Sequence, residues 1–179
     1  MPVNLARSGT LKLSLISRLA PDCRTWKCRL RHVFGKAAVE AVPALTESVN
    51  EQDSHVRSCA GMALWCIDGQ GNVAVPALID ALAAADRELR WSAAAWLGRI
   101  AYDGAPEAKS AIPALTKALA DDEYFHVRRD AAGALGRIGP AARSAVPALV
   151  KALKDESKEV CYYATEALKQ IDAAQITEH

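Results

Sequence analysis

Apolar and small residues recur along this chain in blocks separated by short polar breaks, and the blocks repeat. Four segments open with nearly the same five residues: Ala41-Val42-Pro43-Ala44-Leu45, Ala74-Val75-Pro76-Ala77-Leu78, Ala111-Ile112-Pro113-Ala114-Leu115 and Ala145-Val146-Pro147-Ala148-Leu149. Their prolines lie 33, 37 and 34 residues apart. Each opening continues as an amphipathic stretch to Val49, Leu82, Leu119 or Leu153, and an acidic turn follows at Asp53, Asp86, Asp121-Asp122 or Asp155. A second stretch begins at Val56-Arg57, Leu89-Arg90, Val127-Arg128 or Val160-Cys161 and closes at Ile67, Ile100, Ile138 or Ile171. From Val127, apolar or small residues fall four, seven, eight and eleven positions on, at Ala131, Ala134, Leu135 and Ile138. That spacing draws one face of a 3.6-residue helix.

Each unit therefore predicts a helical hairpin. Ser110 and Ser144 precede Pro113 and Pro147 by three residues and are the expected N-caps, which places proline in the first turn, where its missing N–H costs nothing. Breaks fall at 69–72, 103–106 and 139–140, where glycine and proline collect. A degenerate fifth copy is expected at 10–36, with Leu13-Ser14-Leu15-Ile16 in the place of Pro147-Ala148-Leu149-Val150. One hairpin cannot bury its apolar stripe alone, so neighbours must stack. The expected fold is all-α: an α-solenoid of about five stacked hairpins in one domain spanning 1–179, with repeats at 10–36, 41–69, 74–102, 111–139 and 145–172.

The string from Val127 to Ile138 reads Val-Arg-x-x-Ala-Ala-x-Ala-Leu-Gly-x-Ile. It resembles the HEAT repeat, and more narrowly the short bacterial HEAT-like repeats also found in phycobilin lyases. The resemblance covers 41–172 strongly and 10–36 weakly. It implies a helical repeat scaffold in which the turn acid and the helix arginine form a ladder between adjacent repeats. Cys161 stands where the last repeat would carry its arginine, which puts that rung in question. A fold shared by many activities does not by itself name one.

Composition sharpens this picture. Alanine supplies 36 of 179 residues, and aromatics only 6%. Alanine has the best helix propensity and lets helices approach closely, which argues against an all-β or disordered chain. No run of 18 apolar residues exists to cross a membrane. The net charge of +1 is unevenly spread: residues 1–40 carry eight Lys or Arg against Asp22 and Glu40, and 41–179 carry 14 basic against 19 acidic side chains. A basic end on an acidic body makes nucleic acid an alternative partner. Five cysteines at spacings unlike a disulfide scaffold suit a reducing, cytoplasmic setting. No secretory signal is convincing, because Ser14, Ser17 and Arg18 interrupt the stretch 13–19, and the lack of acids before Asp22 leaves a transit-peptide alternative.

No catalytic constellation is evident. There is no His-Glu-x-x-His and no glycine-rich phosphate loop. HEAT-repeat hydroxylases of the deoxyhypusine type bind iron through His-Glu pairs, and the terminal Glu178-His179 has the reverse order. HEAT-like DNA glycosylases use an acid and aromatics in a basic groove, and Trp91 and Arg99 match no such motif residue by residue. Cys28 with His32, and Cys59 with Cys66, share helical faces and suggest a Cys₃His zinc site, but buried thiols also pack as small hydrophobes. The expectation is a non-enzyme with no cofactor and no metal.

Function in a solenoid usually sits on the concave surface. The outward positions of the second helices lie two, three, six and ten residues after their first apolar residue. They do not repeat from unit to unit, unlike the core positions. From them Met62, Trp91, Arg99, Arg129, Arg137, Tyr162 and Glu166 are the candidate partner-binding residues. Trp, Tyr and Arg are enriched at binding hot spots. Arg99, Arg129 and Arg137 would form a positive stripe beside Trp91, suited to acidic side chains or a helix C-terminus. Trp65 and Trp96 are expected in the packing. The expected function is binding of a protein or peptide. The alternatives are nucleic-acid binding through the basic N-terminal segment and an accessory role in a lyase or modifying enzyme, and an exposed last repeat would permit an end-to-end homodimer.

Overall fold

A computed structural model describes residues 40–173. The expected repeat at 10–36, and with it Cys28 and His32, lies outside the described residues. Among those residues all regular structure is helical, and no helix is long and apolar enough to cross a membrane. The described residues divide into two units between Ala74 and Val75. In the first, α1 (Val42–Ser48) packs on α2 (Ser54–Asp68). Leu64, Trp65 and Cys66 of α2 are buried there. Helix α3 (Gly71–Ala81) runs across the division. The second unit continues with α4 (Arg87–Tyr102), a 3-10 segment Pro106–Ala111, α5 (Ile112–Asp121) and α6 (Phe125–Ile138). A second 3-10 segment, Gly139–Ala145, then leads to α7 (Val146–Ala152) and α8 (Lys158–Ala173).

In this second unit α5 pairs with α6 and α7 with α8, each as a hairpin, and the hairpins stack. The first helices α5 and α7 meet in one layer, while α4, α6 and α8 lie side by side in the other. That layering is the arrangement of an α-solenoid. The repeated positions form its core: Leu97, Leu115, Leu135 and Leu149 are fully buried, as are Val127 and Val160.

The prolines and their serines differ from expectation. Ser110 does not cap α5; its hydroxyl donates to the Glu107 carbonyl at 2.8 Å, and Ala111 holds the cap position without a side-chain bond. Ser144 likewise gives way to Ala145 before α7. In both cases a 3-10 turn runs straight into the α-helix, so backbone carbonyls of the turn satisfy N–H groups a cap would otherwise serve. Ile112 N–H, for example, donates to the Lys109 carbonyl. Pro76 sits inside α3, which begins five residues earlier at Gly71. The carbonyl denied a partner there belongs to Asn72, which is exposed to water.

The turn acids and helix arginines form a regular device. Asp53, Asp86, Asp122 and Asp155 each accept the backbone N–H two residues on, at 2.8–2.9 Å. Arg57, Arg90 and Arg128 each donate through Nη1 to two carbonyls five and six residues back, tying the helix to its own preceding turn. Arg90 and Arg128 also reach forward. Arg90 grips Asp122 with Nε–Oδ2 at 2.7 Å and Nη2–Oδ1 at 3.1 Å. Arg128 grips Asp155 at 2.8 and 2.9 Å. Cys161 keeps only the backward contact: its thiol donates to the Asp155 carbonyl at 3.2 Å. The ladder that the HEAT resemblance implied thus runs from α4 to the turn before α6 and from α6 to the turn before α8.

The second helices approach each other through small residues. A Cβ built on Gly98 of α4 would lie 3.4 Å from Ala134 Cβ of α6. On Gly136 of α6 it would lie 2.8 Å from Ala167 Cα of α8. The second distance leaves no room for a methyl group without moving a backbone.

Two predictions follow from this packing. Gly136→Ala will destabilise the fold by about 1–3 kcal/mol through overpacking, against its helix-propensity gain, read as a lower urea midpoint. An unchanged or higher midpoint would refute the close approach. The second concerns pH. The Arg128 guanidinium and the Ser157 N–H hold the Asp155 carboxyl below its ordinary value. A carboxyl depressed in the folded state stabilises above its unfolded pKa of about 4, and loses that contribution as pH falls through the folded value. Asp155→Asn will therefore cost stability at pH 7, by about 1–3 kcal/mol, and flatten the acid limb of the stability profile. Parallel profiles for the two proteins would contradict the assignment.

Candidate interaction face

The side-by-side helices α4, α6 and α8 present one continuous face, and most of the candidate residues stand on it. Trp91 and Arg99 come from α4, Arg129 and Arg137 from α6, Tyr162 and Glu166 from α8. Met62 belongs to α2 in the other unit and is 8% exposed, so its side chain presents little surface. Trp65 is buried as expected, and Trp96 is half-buried.

Across the N-terminal half of this face runs a connected network. Trp91 Nε1 donates to Asp130 Oδ2 at 2.8 Å. Arg129 Nε donates to the other oxygen of Asp130 at 2.8 Å, and Arg129 Nη1 to Glu159 Oε2 at 3.0 Å. Nη1 also lies 3.1 Å from His126 Nδ1. The His126 ring sits 5.3 Å from Trp91 and 3.9 Å from Phe125, centroid to centroid. Arg87 stands over the Tyr124 ring at 5.1 Å. Three helices are thus joined by hydrogen bonds and rings.

The network changes what the arginines offer. Arg129 has a side-chain exposure of 19% and two carboxylates, so its charge is neutralised. Its hydrogen bond to Asp130, with a further one to Glu159, holds it protonated more firmly than an ordinary arginine. The expected stripe of three arginines is therefore two. Arg99 makes a looser contact with Asp103, 3.4 Å, and lies 5.9 Å from the Tyr102 ring centroid. Arg137 is exposed. On α8, Tyr162 is 61% exposed and meets Tyr163 edge to face at 5.5 Å, while Glu166 bonds Lys169 at 2.8 Å.

Sequence reasoning passed over His126 and Glu159, which sit one residue before the first buried position of their helices. The helix period contains them: one turn back from the positions two and three residues on lies that preceding residue. Asp130 was on the outward set, but its service to both Trp91 and Arg129 depends on which side chains meet across helices. Among the described residues no cluster of metal-ligating side chains occurs, and Cys59, half-buried with its thiol pushed up by burial, stands on α2 with Cys66.

Asp130→Ala will cost about 2 kcal/mol, because it leaves a half-buried guanidinium and an indole N–H without their acceptor. A loss within the scatter of surface substitutions would show that the network is incidental.

Comparison with known proteins follows the architecture. The family profile described as HEAT repeats matches residues 75–169, just over half the chain. An engineered protein of known crystal structure is 31% identical over 77% of this chain, with a TM-score of 0.59, and this chain spans 66% of its length. A designed armadillo repeat protein in complex with the peptide (KR)4 is 19% identical, with a TM-score of 0.62 over 97% of this chain and 85% of its own. A phycocyanin lyase complex from Nostoc sp. is 23% identical, with a TM-score of 0.51 over 98% of this chain and 70% of that one. At those identities the last two show a common fold alone. No curated protein sequence matches. The repeated hairpins, the arginine–aspartate ladder and the family match agree: this chain belongs to the HEAT-repeat family.

Proposed function

We propose that this HEAT-repeat scaffold is a non-catalytic interaction module that binds a protein or peptide across the face of α4, α6 and α8. The observation that carries this is the contrast between repeated and unrepeated positions. Where the repeats agree, side chains are buried or locked in the ladder. Where they differ, the second helices place Trp91, Arg99, Arg137, Tyr162 and Glu166 at partly or fully exposed positions along one surface. Those are the residue types and the rigid backing that binding hot spots use. Arg129 serves by fixing Trp91 through Asp130.

The lyase-subunit alternative has only fold likeness behind it. The nucleic-acid alternative rests on the positive charge of the N-terminal segment 1–40, nearly all of which lies outside the described residues.

The test is selection from an unbiased displayed library of random peptides. Enriched peptides will bind the wild type and lose about tenfold in affinity, or more, on Tyr162→Ala/Glu166→Ala. They will bind Lys117→Ala, on the exposed side of α5, as they bind the wild type. Circular dichroism confirms that each variant keeps its helices. No enrichment, or enriched peptides indifferent to the α8 substitutions, would overturn the proposal.

A further inference from the structure

The second helices carry, ten residues after their first buried position, Arg99 on α4, Arg137 on α6 and Gln170 on α8. Two of these side chains lie across the preceding helix where that helix has glycine. Arg137 Nη1 comes 2.7 Å from the point where a Cβ on Gly98 would stand, and Gln170 Oε1 comes 2.7 Å from the same point on Gly136. The Arg137 guanidinium is therefore laid on the backbone of α4, next in sequence to Arg99. Arg137 is exposed and has no hydrogen-bond or ion-pair partner among the described residues. The third arginine of this face is closed off by Asp130 and Glu159. Arg99 has one longer contact, Nε to Asp103 Oδ1 at 3.4 Å, and its side chain stays 35% exposed. The least enclosed positive charge of the face thus gathers at one end, at two neighbouring helix termini.

We infer that Arg99 and Arg137 form a carboxylate seat, and that the partner of this face is an acidic peptide segment whose Asp or Glu side chains bond the two guanidiniums. The inference deepens the proposed binding function and rests on it. Guanidinium is the side chain whose planar fork matches a carboxylate. Gly98 supplies the seat: with any side chain there, Arg137 could not lie where it does. A single exposed ion pair adds little, so two arginines together, with the exposed Tyr102 ring beside Arg99, are what give an acidic segment useful affinity. Arginines placed only to offset the negative ends of the helices would also stand here, so the experiment must separate the two roles.

Fluorescence anisotropy at physiological salt separates them, with labelled octapeptides (Asp-Glu)4, (Lys-Arg)4 and (Gln-Asn)4 as probes. The wild type will prefer (Asp-Glu)4. Arg137→Gln will weaken it about tenfold, and Arg137→Lys, which keeps the charge but not the fork, will restore only part of that. Gly98→Ala is the sharper variant. Its methyl would meet Ala134 Cβ at an ordinary 3.4 Å but expel Arg137 Nη1, so the protein should keep its helical circular dichroism and its net charge yet bind (Asp-Glu)4 several-fold more weakly. Equal binding by Gly98→Ala and wild type would show an unspecific charge effect and overturn the seat. Preference for (Lys-Arg)4, or no binding of (Asp-Glu)4, would overturn the acidic partner. The library selection uses no charged probe and leaves both arginines intact, so success there with failure here would retain the binding face and reject only its acidic ligand.

Discussion

The second unit depends on one side chain used twice. Arg90 and Arg128 each hold their own turn by its carbonyls and the next turn by its carboxylate. These guanidiniums are 12% and 9% exposed, and their aspartates 6% and 12%. A charge so enclosed is costly unless every donor is matched, and here the matching groups come from two different repeats. The same aspartates also accept the backbone N–H of Tyr124 and Ser157, the residues just before the next helix. Each rung therefore sets helix start, turn shape and repeat spacing together. Removal of an arginine would strand an aspartate and two carbonyls at once, which is why the device recurs in register.

Glycine and alanine complete the constraint. Gly136 against Ala167 brings α6 and α8 within a distance that no larger pair would permit. Close backbones let side chains of one second helix reach over the next. Trp91 can then bond Asp130, Arg129 can bond Glu159, and Arg137 can lie on Gly98. The interaction face is thus a consequence of the packing: rigid because the helices below it cannot slide, and chemically varied because the ladder leaves those outward positions unspecified.

Much of this was legible in the residues. The period of Val127, Ala131, Ala134, Leu135 and Ile138 determines the buried face, and the HEAT resemblance implied a ladder of turn acids and helix arginines between adjacent repeats. What stayed hidden depends on contacts between repeats or on turn geometry. Nothing in the sequence near Ser110 says that a 3-10 turn will replace its cap. Nothing local to Arg129 says that Glu159, thirty residues on, will neutralise it. Arg137 and Arg129 look alike as sequence, and only the neighbouring helices distinguish an open cation from a closed one.

The central claim is that a partner lies on α4, α6 and α8. Isotope-labelled protein titrated with a library-selected peptide addresses it directly by NMR. The account predicts shifts of the Trp91 indole N–H and of amides along the outward positions of α4, α6 and α8, with α5 and α7 unmoved. Shifts concentrated on α5 and α7, with the Trp91 signal unchanged, would contradict it.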